Sequence, residues 1–285
     1  MSYQDLEVRV EGGIGTITLS REQAGPSCLS FPFRRGTYSE LQQALQDLAE
    51  RDDVSITVLT GKGKFFSSAM AQQQTSVSSG ADFTEERDAP KSKHEAWIKF
   101  RTVLEFATAA VTRAVIDHPK PLVVLLNGPV IGYPAGVIAN ADIIYAAESA
   151  YLSCPFSSLG LCAEGNSSFA FVQRMGLGPA QEALLFGKRF TARELEKVGF
   201  VNRVFSNEEF SSETTKLLQG AVKTCHPTSM LVTKRLIRSA FKDQQYKTLM
   251  HETDALTERY MSGDPAIAFK KLMERNAAKS RGSKL

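Results

Sequence analysis

Long apolar runs are missing from this 285-residue sequence, and the longest, residues 121–126 within KPLVVLLNGPVIG, is far too short to cross a bilayer. It reads as a buried strand. An excess of one charge is missing as well. The net charge is +3, and basic residues are interleaved with acidic ones, as in Arg51-Asp52-Asp53 and Glu86-Arg87-Asp88, which leaves no basic stripe for nucleic acid. The four cysteines, Cys28, Cys154, Cys162 and Cys225, lie far apart without a CxxC pair, and the start MSYQDLEVRVEGG lacks the basic and apolar regions of a secretory leader. These absences point to a chain made in the cytosol with reduced thiols. His94, His118, His226 and His251 are scattered with no carboxylate at ligand spacing, which argues against a metal site. Ser67 and Ser68 have no evident histidine partner, which argues against a serine hydrolase.

What is present is a globular composition, 42% hydrophobic, with alternating strand and helix patterns. Residues 7–19, EVRVEGGIGTITL, alternate apolar and polar about Gly12-Gly13 and predict a hairpin. Residues 38–50 place Leu41, Ala44, Leu45 and Leu48 at helical spacing, and the β-rich run SITVLTG follows. From 67 to about 93 the composition turns to Ser, Gln, Thr and mixed charge, predicting a long loop able to cover a pocket, with a helix over 95–116 after it. Strand-turn-helix units then succeed one another: strands at 121–126, 141–145 and 150–154, helices at 133–140 and 166–175. After about 207 the pattern is wholly helical. The expectation is therefore an α/β core over 1–206 and a C-terminal helical region over 207–285, with no internal repeat.

The sequence ends in Ser283-Lys284-Leu285, the tripeptide read by the peroxisomal import receptor, so the expected address is the peroxisomal matrix.

Three stretches, TGKGKFFSS at 60–68, KPLVVLLNGPVIGYPAGVIANADIIYA at 120–146 and YLSCPFSSLGLCAEG at 151–165, together resemble the crotonase (enoyl-CoA hydratase/isomerase) superfamily. The likeness is greatest to peroxisomal Δ3-Δ2-enoyl-CoA isomerases. It implies a spiral of ββα units, C-terminal helices that build a homotrimer or hexamer, an acyl-CoA thioester as substrate and no separate cofactor. Chemistry beside a thioester carbonyl develops negative charge on its oxygen, which preorganised backbone N–H donors stabilise. By the resemblance, the main-chain N–H of Tyr133, after Gly132, is one donor. The family carries a Gly-x-Asp turn after its FFSS-type strand end, whereas this chain reads Ser67-Ser68-Ala69-Met70-Ala71, and Gly80-Ala81-Asp82 follows eleven residues later. Met70 without a gap, or Ala81 after an insertion, is the second donor.

Hydratases of the family set two glutamates about a water; this chain has Gly136 and Phe156 at those places. Glu164 falls where the peroxisomal isomerases carry their single base. One carboxylate suffices to take a proton from the carbon alpha to the thioester and return it to the gamma carbon, and apolar neighbours such as Phe156, Leu161 and Phe169 are expected to raise its pKa. Phe66, Ser68, Gly132, Phe156 and Leu161 are the expected substrate-binding residues, with coenzyme A along the 30–33 loop and the 62–66 strand end and Lys270 or Lys271 near its phosphates. Two alternatives stand beside the isomerase: a crotonase of a specialised pathway acting on an unusual acyl-CoA, and a non-catalytic acyl-CoA binder.

Overall fold

The computed structural model describes residues 3–20, 35–64, 66–68 and 92–282. Strands β1 (Leu6–Glu11) and β2 (Ile14–Leu19) form the expected antiparallel hairpin, with Glu11 opposite Ile14. The turn needs two left-handed residues, and Gly12 and Gly13 supply them at φ 55° and 82°. Helix α1 (Arg35–Glu50) buries Tyr38, Leu41, Ala44, Leu45 and Leu48 on one face. Strand β3 (Ile56–Gly61) lies parallel to β2 and leads to the short β4 (Ser67–Ser68).

Helix α2 (Lys93–Leu104) starts at Ser92, whose Oγ accepts the Glu95 N–H at 3.1 Å. The helix expected over 95–116 is interrupted by a π-helical turn, Glu105–Ala109, before α3 (Ala110–Asp117). The Thr108 carbonyl within it accepts both the Thr112 hydroxyl at 2.8 Å and the Tyr133 hydroxyl at 2.7 Å. A widened turn opens carbonyls to such side-chain donors, which the 3.6-residue pattern does not reveal.

The next elements are β5 (Leu122–Leu126), β6 (Val130–Ile131), α4 (Tyr133–Ile138), β7 (Ile143–Ala147), β8 (Tyr151–Ser153) and α5 (Ser167–Met175). They are followed by α6 (Leu177–Leu185), β9 (Phe190–Thr191), α7 (Ala192–Lys197) and β10 (Arg203–Phe205). Among the described residues the strands form two sheets, β1-β2-β3-β5-β7-β10 and β4-β6-β8-β9. After the β1-β2 hairpin and α1, which stay with the large sheet, the turns β5-β6-α4 and β7-β8-α5 each give one strand to the large sheet, one to the small sheet and then a helix. This is the expected ββα spiral.

The helical remainder consists of α8 (Phe210–Thr224), α9 (Pro227–Ser239), α10 (Lys242–Ser262) and α11 (Asp264–Gly282). Helix α9 is tied to the sheet through Asp142, which accepts the Leu122 N–H at 2.7 Å and pairs with Lys234 at 2.6 Å and Arg238 at 2.7 Å. Burial works to raise the Asp142 carboxyl, and the two cations more than offset it, so its pKa lies below the ordinary range. Among the described residues no helix is long and apolar enough to cross a membrane.

Candidate active site

The site lies where the small sheet meets α4. Strand β6 sits between β4 and β8, with Ser67 and Ser68 opposite Val130 and Ile131, and these opposite Leu152 and Ser153. The chain then turns at Gly132, φ 75° and ψ −140°, a conformation that strains any residue with a Cβ, while the Gly132 N–H donates to Ser153 O at 2.9 Å. Tyr133 opens α4 and is buried. Its hydroxyl donates to Thr108 O, lies 3.2 Å from Thr112 Oγ1, and its ring leans on Tyr38 at 5.8 Å between centroids. These contacts fix the direction of its main chain. Burial pushes the phenol pKa far up, with the Glu164 charge adding to it, so Tyr133 stays neutral.

Glu164 lies in the turn between the 3₁₀ helix Ser157–Leu159 and α5. The next two residues are both left-handed: Gly165 at φ 72° and Asn166 at φ 62°, which among the described residues is the one non-glycine with positive φ. Asparagine tolerates this conformation. Its side chain does not cap α5 but donates to Asn140 Oδ1 at 2.8 Å, and the Asn140 amide donates to Gly136 O and Gly165 O, each at 2.9 Å. Helix α4 and the Glu164 turn are thereby stitched together.

They approach so closely that position 136 has no room for a side chain. A Cβ there would overlap the carbonyl oxygen of Glu164 and lie 3.2 Å from Gly165 Cα. Position 136, one of the two places where the resemblance expects a hydratase's glutamate, is thus filled by the main chain that carries Glu164. The other such place holds Phe156, 2% exposed, in the same core cluster as Phe66 and Tyr133, with Leu161 packed against it.

Glu164 itself is partly exposed, while its carboxyl is enclosed by protein. Burial, and secondarily the negative charge of Glu252, raise its pKa to about 8. Tyr38, Tyr133, Cys154 and Cys162 feel its charge in turn; burial is the larger cause in each, and Cys162 is pushed up to about 12. At neutral pH Glu164 is the group of this cluster able to exchange a proton.

Sequence reasoning missed Glu252. This α10 residue, 6% exposed, accepts the Asn166 N–H at 2.6 Å, the Ser168 N–H at 2.8 Å and the Ser168 hydroxyl at 2.7 Å. The available signal was a carboxylate on an apolar stripe: Leu249, Glu252 and Leu256 share one helix face.

Ser68 sits in β4 as the strand leaves for residue 69. Met70, Ala81, the 30–33 loop and Ser283-Lys284-Leu285 lie outside the described residues. Phe169, expected beside Glu164, packs on Phe241 with ring centroids 6.4 Å apart. Lys62 pairs with Glu7 at 2.6 Å. Lys270 and Lys271 are exposed on α11, where Lys271 and Arg275 line an open cavity of about 470 Å³ with Leu159, Gly160 and Ile267. No cluster of three metal-ligating side chains occurs among the described residues.

The sequence model of the family described as enoyl-CoA hydratase/isomerase matches residues 9–277. The chain belongs to the enoyl-CoA hydratase/isomerase family. It is 36% identical over 254 residues to a Delta(3,5)-Delta(2,4)-dienoyl-CoA isomerase from Pyricularia oryzae, covering 82% of this chain and 86% of that protein. It is also 36% identical over 256 residues to the enoyl-CoA delta isomerase 2 of Rattus norvegicus, covering 90% of this chain but spanning only 60% of the rat protein. The peroxisomal enoyl-CoA delta isomerase 3 of Mus musculus is 32% identical, with 96% of this chain and 80% of that one covered. In fold, the crystal structure of an enoyl-CoA hydratase/isomerase from Pseudoalteromonas atlantica T6c superposes with a TM-score of 0.76 at 24% identity, over 95% of this chain and 97% of that one.

Proposed function

We propose that the protein is a Δ3-Δ2-enoyl-CoA isomerase in which Glu164 carries the proton. The observation that carries this reading is an enclosed carboxyl at 164 together with Gly136 packed against the main chain of residues 164 and 165, so that no side chain at 136 can place a second carboxylate beside the base. Glu164 takes a proton from C2 of a 3-enoyl thioester. The C–H electron pair enters the C1–C2 bond as the carbonyl pair moves onto the thioester oxygen, giving a dienolate; the carbonyl then re-forms, the C1–C2 pair shifts to C2–C3, and the C3–C4 π pair takes the proton back from Glu164 at C4, giving the trans-2-enoyl thioester. The main-chain N–H of Tyr133 is one oxyanion donor. Met70 lies two residues beyond Ser68 as Tyr133 lies two beyond Ile131, and those strand ends are paired, which supports Met70 over Ala81 as the other.

The name of the Pyricularia relative favours a second reading, dienoyl isomerisation. That reaction carries a proton from C2 to C6. The two oxygens of one carboxylate match the spacing of C2 and C4, whereas C6 lies twice as far and calls for a second proton carrier. Phe156 supplies none, and the Tyr133 and Cys162 protons are held tightly. Assay of 3-enoyl-CoA and 3,5-dienoyl-CoA side by side is the test: preference for the mono-ene supports the first reading, and preference for the diene replaces it with the second.

A peroxisomal location is part of the proposal, supported by Ser283-Lys284-Leu285 and by the name of the mouse relative. Loss of peroxisomal import on deleting Leu285 is its check. The exposure of Leu177 and Leu185 on α6 and of Phe186 just after it, the last 83% exposed, supports self-association into the homotrimer or hexamer.

A further inference from the structure

One helix holds the segment that carries Glu164 from both ends. At its start, Arg259 Nε donates to Gly160 O at 2.9 Å; at its end, Glu252 accepts from Asn166 N, Ser168 N and Ser168 Oγ at 2.6 to 2.8 Å. Residues 252 and 259 are two helical turns apart, about 10 Å along one face of α10. Helix α10 is itself fastened to the core. Leu249, Thr253, Leu256 and Thr257 are buried, Asp254 pairs with Arg101 of α2 at 2.7 Å, and Tyr260 stacks on Phe100 at 5.5 Å.

We propose that Glu252 is a positioning residue for the base: its buried carboxylate grips the main chain beyond Gly165, fixes the direction in which Glu164 projects, and makes the C-terminal helix part of the active site. The inference rests on the functional reading of Glu164 and deepens it.

Both Glu252 oxygens are occupied by donors, so Glu252 is not itself the proton carrier. Plain helix capping does not account for it. The N-cap position of α5 is Asn166, a residue type suited to local capping, yet its side chain is turned to Asn140 and the task passes to a buried charge on another helix. Gly165 and Asn166 form a left-handed pair that has little stiffness of its own, so the bonds on either side determine where residue 164 points.

The electrostatics agree with the geometry. Of the titratable groups that act on Glu164, Glu252 is the one that contributes a charge raising its pKa, second to burial; burial raises the Glu252 carboxyl too, and the bonds from Ser168 and Asn166 work against that rise by favouring the carboxylate. From the other elements the base faces Tyr38 of α1, Tyr133 of α4, Cys154 after β8 and Cys162 of its own segment, all held neutral by burial. From α10, Tyr260 acts on Tyr38 and Arg259 on Cys162; Arg259 is paired with Asp264 at 2.5 Å.

The test is steady-state isomerisation of 3-enoyl-CoA against pH for the full chain and for Glu252→Gln, Glu252→Asp and Glu164→Gln, with thermal unfolding of each. Glu252→Gln should lower plateau kcat on the order of 10- to 100-fold with KM little changed, and move the acidic limb to lower pH. Glu252→Asp keeps the charge but shortens the reach, so the limb should stay in place while kcat falls. If Glu252→Gln fails to fold, Glu252→Asp decides: reduced kcat at unchanged KM supports the proposal, and wild-type kcat overturns it. A folded Glu252→Gln with wild-type kcat and limb, lower only in melting temperature, overturns it as a plain cap. Wild-type turnover by Glu164→Gln would instead remove the functional reading, and the inference with it.

Discussion

Gly136 and Glu164 occupy each other's space: a Cβ on the former would overlap the carbonyl oxygen of the latter. Glycine at 136 is therefore a condition for the main chain of residue 164 to lie where it does. Gly136→Ala should cost about 1–3 kcal/mol by overpacking, outweighing the higher helix propensity of alanine. It should also lower kcat at least about tenfold by displacing the turn. Thermal unfolding and kinetics on one preparation check both.

The pH profile follows from Glu164. A base works deprotonated, and its pKa is raised to about 8, so kcat should climb with pH and reach half its plateau near 8. Stability runs the other way. The native state holds a proton that the unfolded chain releases in the ordinary carboxylate range, so this contribution is full below that range and is lost as pH rises through 8. Urea unfolding at pH 6 and pH 9 should show Glu164→Gln gaining on the wild type at the higher pH.

Tyr133 enters the account through its main chain. Tyr133→Phe loses the bond to Thr108 O, a net cost of about 1 kcal/mol, while Thr108 O keeps the Thr112 hydroxyl. The loss in kcat should fall well short of the roughly 100-fold that removal of an oxyanion donor brings. A larger loss would assign the hydroxyl a part in the chemistry.

Asp142 is structural. Asp142→Asn leaves Lys234, 9% exposed, without its countercharge and should destabilise the fold by about 3 kcal/mol, with KM for acyl-CoA unchanged. Denaturant titration beside substrate titration separates the two effects.

Much of the architecture was legible because it is local. Gly12-Gly13 sets the hairpin, the Leu41-Ala44-Leu45-Leu48 stripe sets α1, and the strand-turn-helix succession from 121 to 175 is written in its periodicity. The division of those strands between two sheets was not, since it depends on pairings such as Ser67 with Val130 that join distant segments. Strands β9 and β10, of two and three residues, are too short to show a period. Glu164 was visible as a residue, and the lack of carboxylates at 136 and 156 was visible beside it. Its surroundings were hidden: the clash that keeps 136 a glycine, the π-helical turn that receives Tyr133, and the hold of Glu252 on Asn166 across 86 residues are all tertiary.

The most direct test of the account is turnover of 3-enoyl-CoA by Glu164→Gln, a near-isosteric change that removes the base, followed in D2O to register exchange of the alpha proton. The account predicts a fall in kcat of about 10²–10⁴-fold with exchange lost in step and the substrate still bound. Turnover and exchange within a few-fold of wild type would contradict it.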